Sequence, residues 1–283
     1  MSKYFRRLLC CSSHNNNKIV TPSRKSSNII AYGAHGEVSK QIINGKIYAL
    51  KKFKRKSIYN KEVRILKKIN NTNHLQKFKF SNDENKTIYN EFVPGQDLFY
   101  YIQKAGLTQK NPEPKIDDEN IKKIVNQIIM GLEDLNKFGF VHLDLKLENI
   151  IVDKYLNVTI IDFDTAQYLF ENTSLNVLTR FVGTTNYAAP EIYQKYYTVK
   201  SDIWSLGVII WILKTGNYPY IIDEDIGYIQ EMKVVCESGI QSFNNIGIVN
   251  ECEIFMDLIE NIFVENPQKR YGIDELKKHP FLN

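Results

Sequence analysis

The stretch Val141-His142-Leu143-Asp144-Leu145-Lys146-Leu147-Glu148-Asn149 and the triplet Asp162-Phe163-Asp164 decide how this chain is interpreted. Carboxylates, a lysine and an amide recur in them at fixed intervals, and the triplet begins 13 residues after Asn149. Two short apolar runs, residues 149–152 and 158–163, predict short strands beside these polar positions. We therefore expect the chemistry of the protein to lie in these two segments.

The residues on the N-terminal side predict an antiparallel sheet with one helix. Residues 28–53 are rich in β-formers and are divided by Asn44-Gly45, a strong two-residue hairpin signal. Helical spacing of apolar positions follows over residues 62–69, and residues 86–93 again have strand character. The turn Pro94-Gly95 is predicted to end this first half.

The second half of the chain is predicted to be mainly helical. Asp117-Asp118-Glu119 is a capping signal for a helix whose apolar residues recur every three or four positions over residues 121–135. A further helix is expected over residues 202–214, stopped by Gly216. The fold class is therefore α+β, with a small antiparallel-sheet half and a larger helical half.

Composition excludes several classes of protein. The 283 residues are 43% hydrophobic and 24% charged, which is typical of a globular protein. No stretch approaches the roughly 20 apolar residues that span a membrane, and the N-terminus lacks the apolar core of a secretory signal. An intracellular, most simply cytoplasmic, location is expected, because the cysteines show neither metal-site nor disulfide spacing: Cys10, Cys11, Cys236 and Cys252.

The charge is distributed unevenly along the chain. Residues 1–61 contain 14 Lys or Arg and one acid, a net charge of +13, so the net +5 of the whole chain leaves −8 for the rest. A basic cluster can attract nucleic acid, but it is more often a solvated face, and no nucleic-acid-binding motif accompanies it. Residues 1–25, rich in Ser, Asn, Lys and Arg, are predicted to be a flexible basic extension.

Two features of the predicted sheet suggest phosphate binding. Residues 31–38 contain Gly33 and Gly36 at a turn, where glycine lets backbone amides approach phosphate, although such a turn is equally often only a turn. Lys51 stands in an apolar strand, and Glu62 on the next helix is its expected partner. A paired lysine of this kind could hold the phosphates of a nucleotide.

Taken in order along residues 28–282, these motifs resemble the eukaryotic protein kinase family. The two segments quoted first are similar to its catalytic loop and metal-binding triplet, and three later motifs continue the match. The pattern of the loop and of the first later motif is similar to the serine/threonine branch. The later motifs are Gly183-Thr184-Thr185-Asn186-Tyr187-Ala188-Ala189-Pro190-Glu191, Ser201-Asp202-Ile203-Trp204-Ser205-Leu206-Gly207 and Asn266-Pro267-Gln268-Lys269-Arg270.

The resemblance implies a serine/threonine protein kinase that transfers the γ-phosphate of ATP to protein hydroxyls. In that family Asp144 would orient the acceptor hydroxyl and take its proton, and Lys146 would lie by the γ-phosphate. Asn149 and Asp162 would bind two Mg²⁺ ions, and Thr184 would contact the catalytic Asp and Lys. The expected cofactors are therefore ATP and magnesium, and the expected partners are protein substrates with Ser or Thr acceptors.

The resemblance also implies the remaining ATP-binding residues. Lys51 would pair with Glu62, Asn90 would occupy the gatekeeper position, and Asp97 would lie near the ribose. Glu91 and Val93 belong to the hinge that receives adenine on backbone groups. The full expected set is Ala31, Gly33, Gly36, Val38, Ala49, Lys51, Glu62, Asn90, Glu91, Val93 and Asp97.

A kinase domain is expected over residues 26–283. Its N-lobe would cover about 26–93, the hinge about 91–97 and the C-lobe about 98–283. A monomer is assumed, because nothing in the sequence indicates an oligomer. Glu191 and Arg270 match a structural ion pair of the family.

Several positions depart from the family pattern, and three of them bear on the choice between an active enzyme and a pseudokinase. Ala31 replaces the first loop glycine, Leu143 the catalytic-loop arginine, and Asp164 the glycine of the metal-binding triplet. These changes support an alternative, a pseudokinase that acts as a nucleotide-binding or scaffolding module. The presence of Lys51 and Asp162 favours the active enzyme.

Regulation and membrane attachment give two further expectations. In many members of the family, a phosphothreonine in the activation segment binds the catalytic-loop arginine and orders that segment. Here the phosphothreonine position falls on Arg180, and Leu143 replaces the arginine, so both groups of this contact are missing. Cys10-Cys11 could be palmitoylated beside basic residues, but a plain disordered tail is the favoured interpretation.

Overall fold

Five antiparallel strands form the sheet of the first half of the chain. The structure, a computed structural model, describes residues 29–32, 36–105, 116–170, 176–220 and 253–283. The strand order is β1-β2-β3-β5-β4. The predicted hairpin turn is present, since Asn44 and Gly45 both have positive φ, as a two-residue turn between twisted strands requires. The strands are β1 (Ile29–Tyr32), β2 (Gly36–Ile43), β3 (Lys46–Phe53), β4 (Phe78–Asn82) and β5 (Thr87–Glu91).

One helix packs on this sheet. Helix α1 (Lys56–Ile69) buries one face, which includes Glu62, Ile65 and Leu66. The predicted helical period over residues 62–69 is therefore confirmed, and the helix begins six residues earlier than the period indicated. Burial of this apolar stripe against the sheet holds the helix in place, because a 14-residue helix is only marginally stable alone.

The second half of the described chain is mainly helical. Its helices are α2 (Leu98–Lys104), α3 (Asp118–Lys137), α4 (Pro190–Tyr193), α5 (Ser201–Thr215), α6 (Glu253–Ile262) and α7 (Ile273–Lys278). As predicted, Asp117 caps α3: its side chain accepts a hydrogen bond from the N–H of Asn120 at 2.7 Å. Helix α5 is buried from Ser201 to Leu213 and ends at Gly216, so it is the central scaffold of this half.

Short strands line the boundary between the two halves. One three-stranded sheet has the order β6-β8-β9 and carries the polar segments identified in the sequence. Two further antiparallel pairs join β7 with β10 and β11 with β12. These strands are β6 (Gln96–Asp97), β7 (Phe140–Val141), β8 (Ile150–Val152), β9 (Val158–Ile160), β10 (Gln167–Tyr168), β11 (Asn176–Val177) and β12 (Tyr196–Tyr197).

The predicted α+β arrangement is thus confirmed for the described residues. The extension at residues 1–25 and the turn residue Gly33 lie outside them, as do Cys10 and Cys11. No helix in the described ranges is both long and apolar enough to cross a membrane.

A buried ion pair ties the segment before α5 to the C-terminal end of the chain. Arg270 donates to both carboxylate oxygens of Glu191, at 2.8 and 2.9 Å, and both side chains are fully buried. Ser201 also donates to Glu191, at 2.8 Å. The predicted structural ion pair is therefore present.

We expect Glu191→Gln to lower the free energy of unfolding by about 3–5 kcal/mol, because it leaves the guanidinium of Arg270 buried without its counter-charge. Urea denaturation measures this loss. Glu133→Gln is the matched control: its lysine partners are half-exposed, so that change should cost less than about 1 kcal/mol. Equal losses in the two variants would contradict the structural role of the buried pair.

Candidate active site

Lys51 reaches from the sheet to three carboxylates. Its Nζ lies 2.8 Å from Glu62 Oε2 in α1, 2.6 Å from Asp162 Oδ1 and 3.1 Å from Asp164 Oδ2. The predicted contact between Lys51 and Glu62 is therefore present. The contact with Asp164 was not predicted, because the sequence does not show on which side of the chain that side chain lies.

The pKa values of this cluster are moved in different directions. Burial would lower the pKa of Lys51, but Asp162, Glu62 and Asp164 outweigh it and hold that pKa well above its usual value. Burial raises the pKa of Glu62 to about 8 against the opposing pull of Lys51. Burial also opposes ionisation of Asp162, yet the close ammonium lowers the pKa of that carboxyl to about 2. A single ammonium thus cannot stabilise three carboxylates equally.

Backbone geometry directs Asp162 toward Lys51. Asp162 has φ +67, a left-handed conformation that only a few per cent of non-glycine residues adopt. The following Phe163 is fully buried, and its ring centroid lies 5.2 Å from that of His142. The buried aromatic residue anchors the segment while the two acidic residues on either side of it face Lys51.

Asp144, Lys146 and Asn149 form a second polar cluster. Thr184 Oγ1 donates to Asp144 Oδ1 at 2.6 Å, and Lys146 Nζ lies 2.9 Å from Thr184 Oγ1 and 3.1 Å from Asp144 Oδ2. The Nδ2 of Asn149 donates to the carbonyl oxygen of Asp144 at 2.8 Å. The predicted contact of Thr184 with Asp144 and Lys146 is therefore present.

Gly183 brings Thr184 to this cluster. Gly183 has φ +90, and a Cβ on it would lie 2.3 Å from the carbonyl oxygen of Leu143. Only glycine allows the two loops to approach so closely. The segment around Thr184 is thereby held against the loop that carries Asp144.

Asp202 supports the backbone of the loop that carries Asp144. Its carboxylate, at the start of α5, accepts hydrogen bonds from the N–H groups of His142 at 2.7 Å and Leu143 at 2.8 Å. Leu143 has φ +62, so these bonds hold a strained backbone. Sequence reasoning gave Asp202 no role. The sequence did contain a signal for this role. A helix that is apolar on every side is buried, so an acidic residue in its first turn is buried too and needs hydrogen-bond donors around its carboxylate.

The face of the sheet that carries Lys51 lines the space above these clusters. In the pairing of β3 with β5, Ala49 lies opposite Asn90 and Lys51 opposite Ile88, and Val38 of β2 lies opposite Lys51. Directly opposed residues share one face of a sheet. Val38, Ala49 and Asn90 are therefore on the same face as Lys51.

The chain leaves the sheet after β5 through the predicted hinge. The N–H of Glu91 donates to the carbonyl oxygen of Lys77 at 2.8 Å. Within the described part of the chain, the N–H of Val93 donates no hydrogen bond. A backbone donor is thus available at the edge of the cleft. Asp97, next along the chain, caps α2 by accepting from the N–H of Tyr100 at 2.7 Å.

The glycine-turn residues are only partly described. Ala31 pairs with Val38 in the register of β1 and β2. Gly36 begins β2, and a Cβ there would lie 2.1 Å from the carbonyl oxygen of Lys52. Gly36 thus has a structural reason of its own in addition to the predicted phosphate contact.

The oxygen donors present fit a magnesium ion. Asp162 uses Oδ1 for Lys51, and among the described residues its Oδ2 accepts no hydrogen bond. Asn149 donates through Nδ2, which leaves its amide oxygen as a possible ligand. Carboxylate and amide oxygens are hard donors of the kind that Mg²⁺ prefers. Glu62, Asp162 and Asp164 also place carboxylate oxygens within 4.8 Å of one another.

Comparison with known proteins identifies this arrangement. The family model for the protein kinase domain matches residues 25–282. The chain belongs to the protein kinase family. It is 27% identical over 276 residues to the SNF1-related protein kinase catalytic subunit alpha KIN12 of Arabidopsis thaliana, a match covering 93% of this chain and 52% of that protein.

Two further relatives are similar. The fatty acyl-CoA synthetase and RNA processing-associated kinase 1 of Saccharomyces cerevisiae is 31% identical over 258 residues, 83% of this chain and 27% of that protein. The probable serine/threonine-protein kinase MARK-B of Dictyostelium discoideum is 28% identical over 257 residues, 87% of this chain and 34% of that protein. This kinase domain thus spans about half, or less, of the length of these relatives.

We expect the raised pKa of Glu62 to make the stability of the nucleotide-free kinase domain depend on pH. A carboxyl with pKa about 8 in the folded state and an ordinary value of 4.5 binds its proton more tightly when folded. Its contribution to stability is therefore present below pH 4.5 and is lost as the pH rises to 8. Free energies of unfolding measured between pH 5 and 8.5 should fall with pH.

The same series on Glu62→Gln should lose much of this slope, because the titrating group is gone. Glu260→Gln, on the exposed side of α6, is the control and should keep the wild-type slope. An unchanged slope in Glu62→Gln would show that burial does not raise the pKa of Glu62 in the folded protein.

Proposed function

We propose that this domain is an active serine/threonine protein kinase that transfers the γ-phosphate of ATP, with Mg²⁺, to Ser and Thr hydroxyls of proteins. One observation carries the proposal. The Lys51–Asp162 contact and the Asp144–Lys146–Thr184 network lie close to each other, because the charge of Asp162 helps to raise the pKa of Lys146. Phosphoryl transfer depends on alignment and charge stabilisation, which these groups can supply.

Asp144 is proposed to orient the acceptor hydroxyl and accept its proton. Its two oxygens are already fixed by Thr184 and Lys146, so the carboxylate is oriented before substrate arrives. Lys146 is proposed to stabilise negative charge on the transferred phosphate, and Lys51 to hold the other phosphates. Asp162 and Asn149 would hold magnesium, which neutralises phosphate charge when bound.

The adenosine part of ATP is proposed to bind under the sheet. Val38 and Ala49 would cover the base, backbone groups of Glu91 and Val93 would pair with it, and Asp97 would lie near the ribose. Ala31, Gly33 and Gly36 would approach the phosphates. Glu62 acts through Lys51, as a positioning residue.

The wider context of the domain is part of the same proposal. A basic extension over residues 1–25, a kinase domain over 26–283 and an intracellular, cytoplasmic, monomeric protein remain predictions. Association with a membrane through Cys10 and Cys11 is not favoured. Among the described residues nothing favours the pseudokinase alternative, because each departure leaves Lys51 and Asp162 in contact.

We expect Lys51→Met to reduce phosphate transfer by at least about 100-fold, because it removes a charge contact that strengthens in the transition state. Transfer from Mg·ATP to a generic basic protein measures the rate. Lys52→Met is the matched control, since it changes the same residue type one position along β3 on the exposed face. Near wild-type turnover of a folded Lys51→Met protein would refute the site assignment.

Activity is also expected not to depend on phosphorylation of the activation segment. Leu143 stands where the family receives that phosphate on arginine, and its side chain is buried in the core. Arg180, at the usual phosphothreonine position, is exposed, already positively charged and unable to carry a phosphate. Thr179 is described and exposed, whereas Thr173 and Ser174 lie outside the described residues.

Phosphatase treatment, checked by mass spectrometry at Thr173, Ser174 and Thr179, should therefore leave turnover within about twofold of the untreated enzyme. A large fall in turnover that is restored by rephosphorylation of this segment would contradict the expectation. It would mean that another basic residue takes the role absent at Leu143.

A further inference from the structure

Asn90 is a buried amide on the face of the sheet that lines the cleft. It lies in β5 opposite Ala49 of β3, and its residue is 2% exposed. Lys51, two residues after Ala49, reaches Asp162 from this same face. Asn90 therefore lies on the face of the sheet against which the proposed function places the base of ATP.

The amide of Asn90 has no hydrogen-bond partner among the described residues. Its Oδ1 is buried and unpaired, and its Nδ2 makes no hydrogen bond there either. A buried polar group without a partner costs stability, so most buried amides are paired. An apolar residue of similar size would be more stable at this position unless a ligand supplies the partner.

The neighbours on the sheet do not supply one. Ala49 lies opposite Asn90 on one side, and Phe78 of β4 on the other. Ala49 and Phe78 carry no polar side-chain atoms. The β3 neighbour, Ala49, carries only a methyl group as its side chain.

We propose that Asn90 reads the edge of the adenine ring, with Oδ1 accepting from the exocyclic N6 amine and Nδ2 donating to N7. This rests on the proposed function, because it requires a nucleotide in the cleft. An asparagine amide and this edge of adenine match as acceptor with donor and donor with acceptor. Guanine presents two acceptors, O6 and N7, so Oδ1 would face another oxygen. Asn90 thus selects ATP over GTP.

The proposal is tested by nucleotide affinities of the whole chain, measured by calorimetry with Mg²⁺. Wild type should bind 7-deaza-ATP, which lacks the N7 acceptor, about tenfold more weakly than ATP. Asn90→Leu, of similar volume, should lose about tenfold or more in affinity for ATP and bind ATP and 7-deaza-ATP equally. Its preference for ATP over GTP should fall by a similar factor.

Asn136→Leu is the matched control. Asn136 Oδ1 is also buried and unpaired, but Asn136 is in α3 and not on the cleft face of the sheet. This variant should keep the wild-type ratios of ATP to GTP and of ATP to 7-deaza-ATP. Without nucleotide, Asn90→Leu should melt no lower than wild type, because it removes an unpaired polar group.

Each outcome separates the two proposals. Binding of ATP by wild type with equal affinity for 7-deaza-ATP would overturn the role of Asn90 and leave the proposed function intact, even if Asn90→Leu did not fold. An unchanged ATP-to-GTP ratio in folded Asn90→Leu would also overturn it. Absence of ATP binding by folded wild type would overturn the proposed function and, with it, this inference.

Discussion

The contact of one buried ammonium with three carboxylates connects the two halves of this kinase domain. Lys51 belongs to the sheet, Glu62 to the helix packed on it, and Asp162 and Asp164 to the segment that follows β9. If α1 moved away from the sheet, Glu62 would leave Lys51. If the segment around Phe163 moved, Asp162 would leave as well. The geometry of the proposed phosphate-binding region therefore depends on the packing of three separate elements.

In the second half, helix α5 supports the loop that carries Asp144. That helix is buried along almost its whole length, and Asp202 at its start holds the backbone of His142 and Leu143. Asp144, which comes next in the chain, is then oriented by Thr184. The proposed base is thus fixed by a buried carboxylate beneath it and a hydroxyl beside it. Asp202 is buried and cannot reach a substrate, whereas the side chain of Asp144 keeps some solvent exposure.

Local signals in the sequence predicted the long elements well, whereas distant contacts were predicted only where the family resemblance implied them, as for Glu191 and Arg270. The hairpin at Asn44-Gly45 and the cap at Asp117 depend on neighbouring residues, so both could be deduced. Strand β4 was not predicted, because its pairing with β5 depends on tertiary contact and its pattern is weak. The two-residue strands exist only through their partners. Asp202 and Asp164 were missed as supports of the site for the same reason, since their partners lie 59 and 113 residues away in the chain.

Asp164 changes the charge balance on which the site operates. With glycine at this position, as in the family pattern, Lys51 would face two carboxyl groups, whereas here it faces three. The phosphates of a nucleotide add further negative charge, and like charges at these distances repel strongly where water is excluded. In the proposed function, Lys51 would also exchange carboxylate contacts for phosphate contacts as the nucleotide enters. Electrostatics therefore requires cations to enter with the nucleotide. The oxygen of Asp162 that Lys51 leaves unused and the amide oxygen of Asn149 are the groups that can receive them.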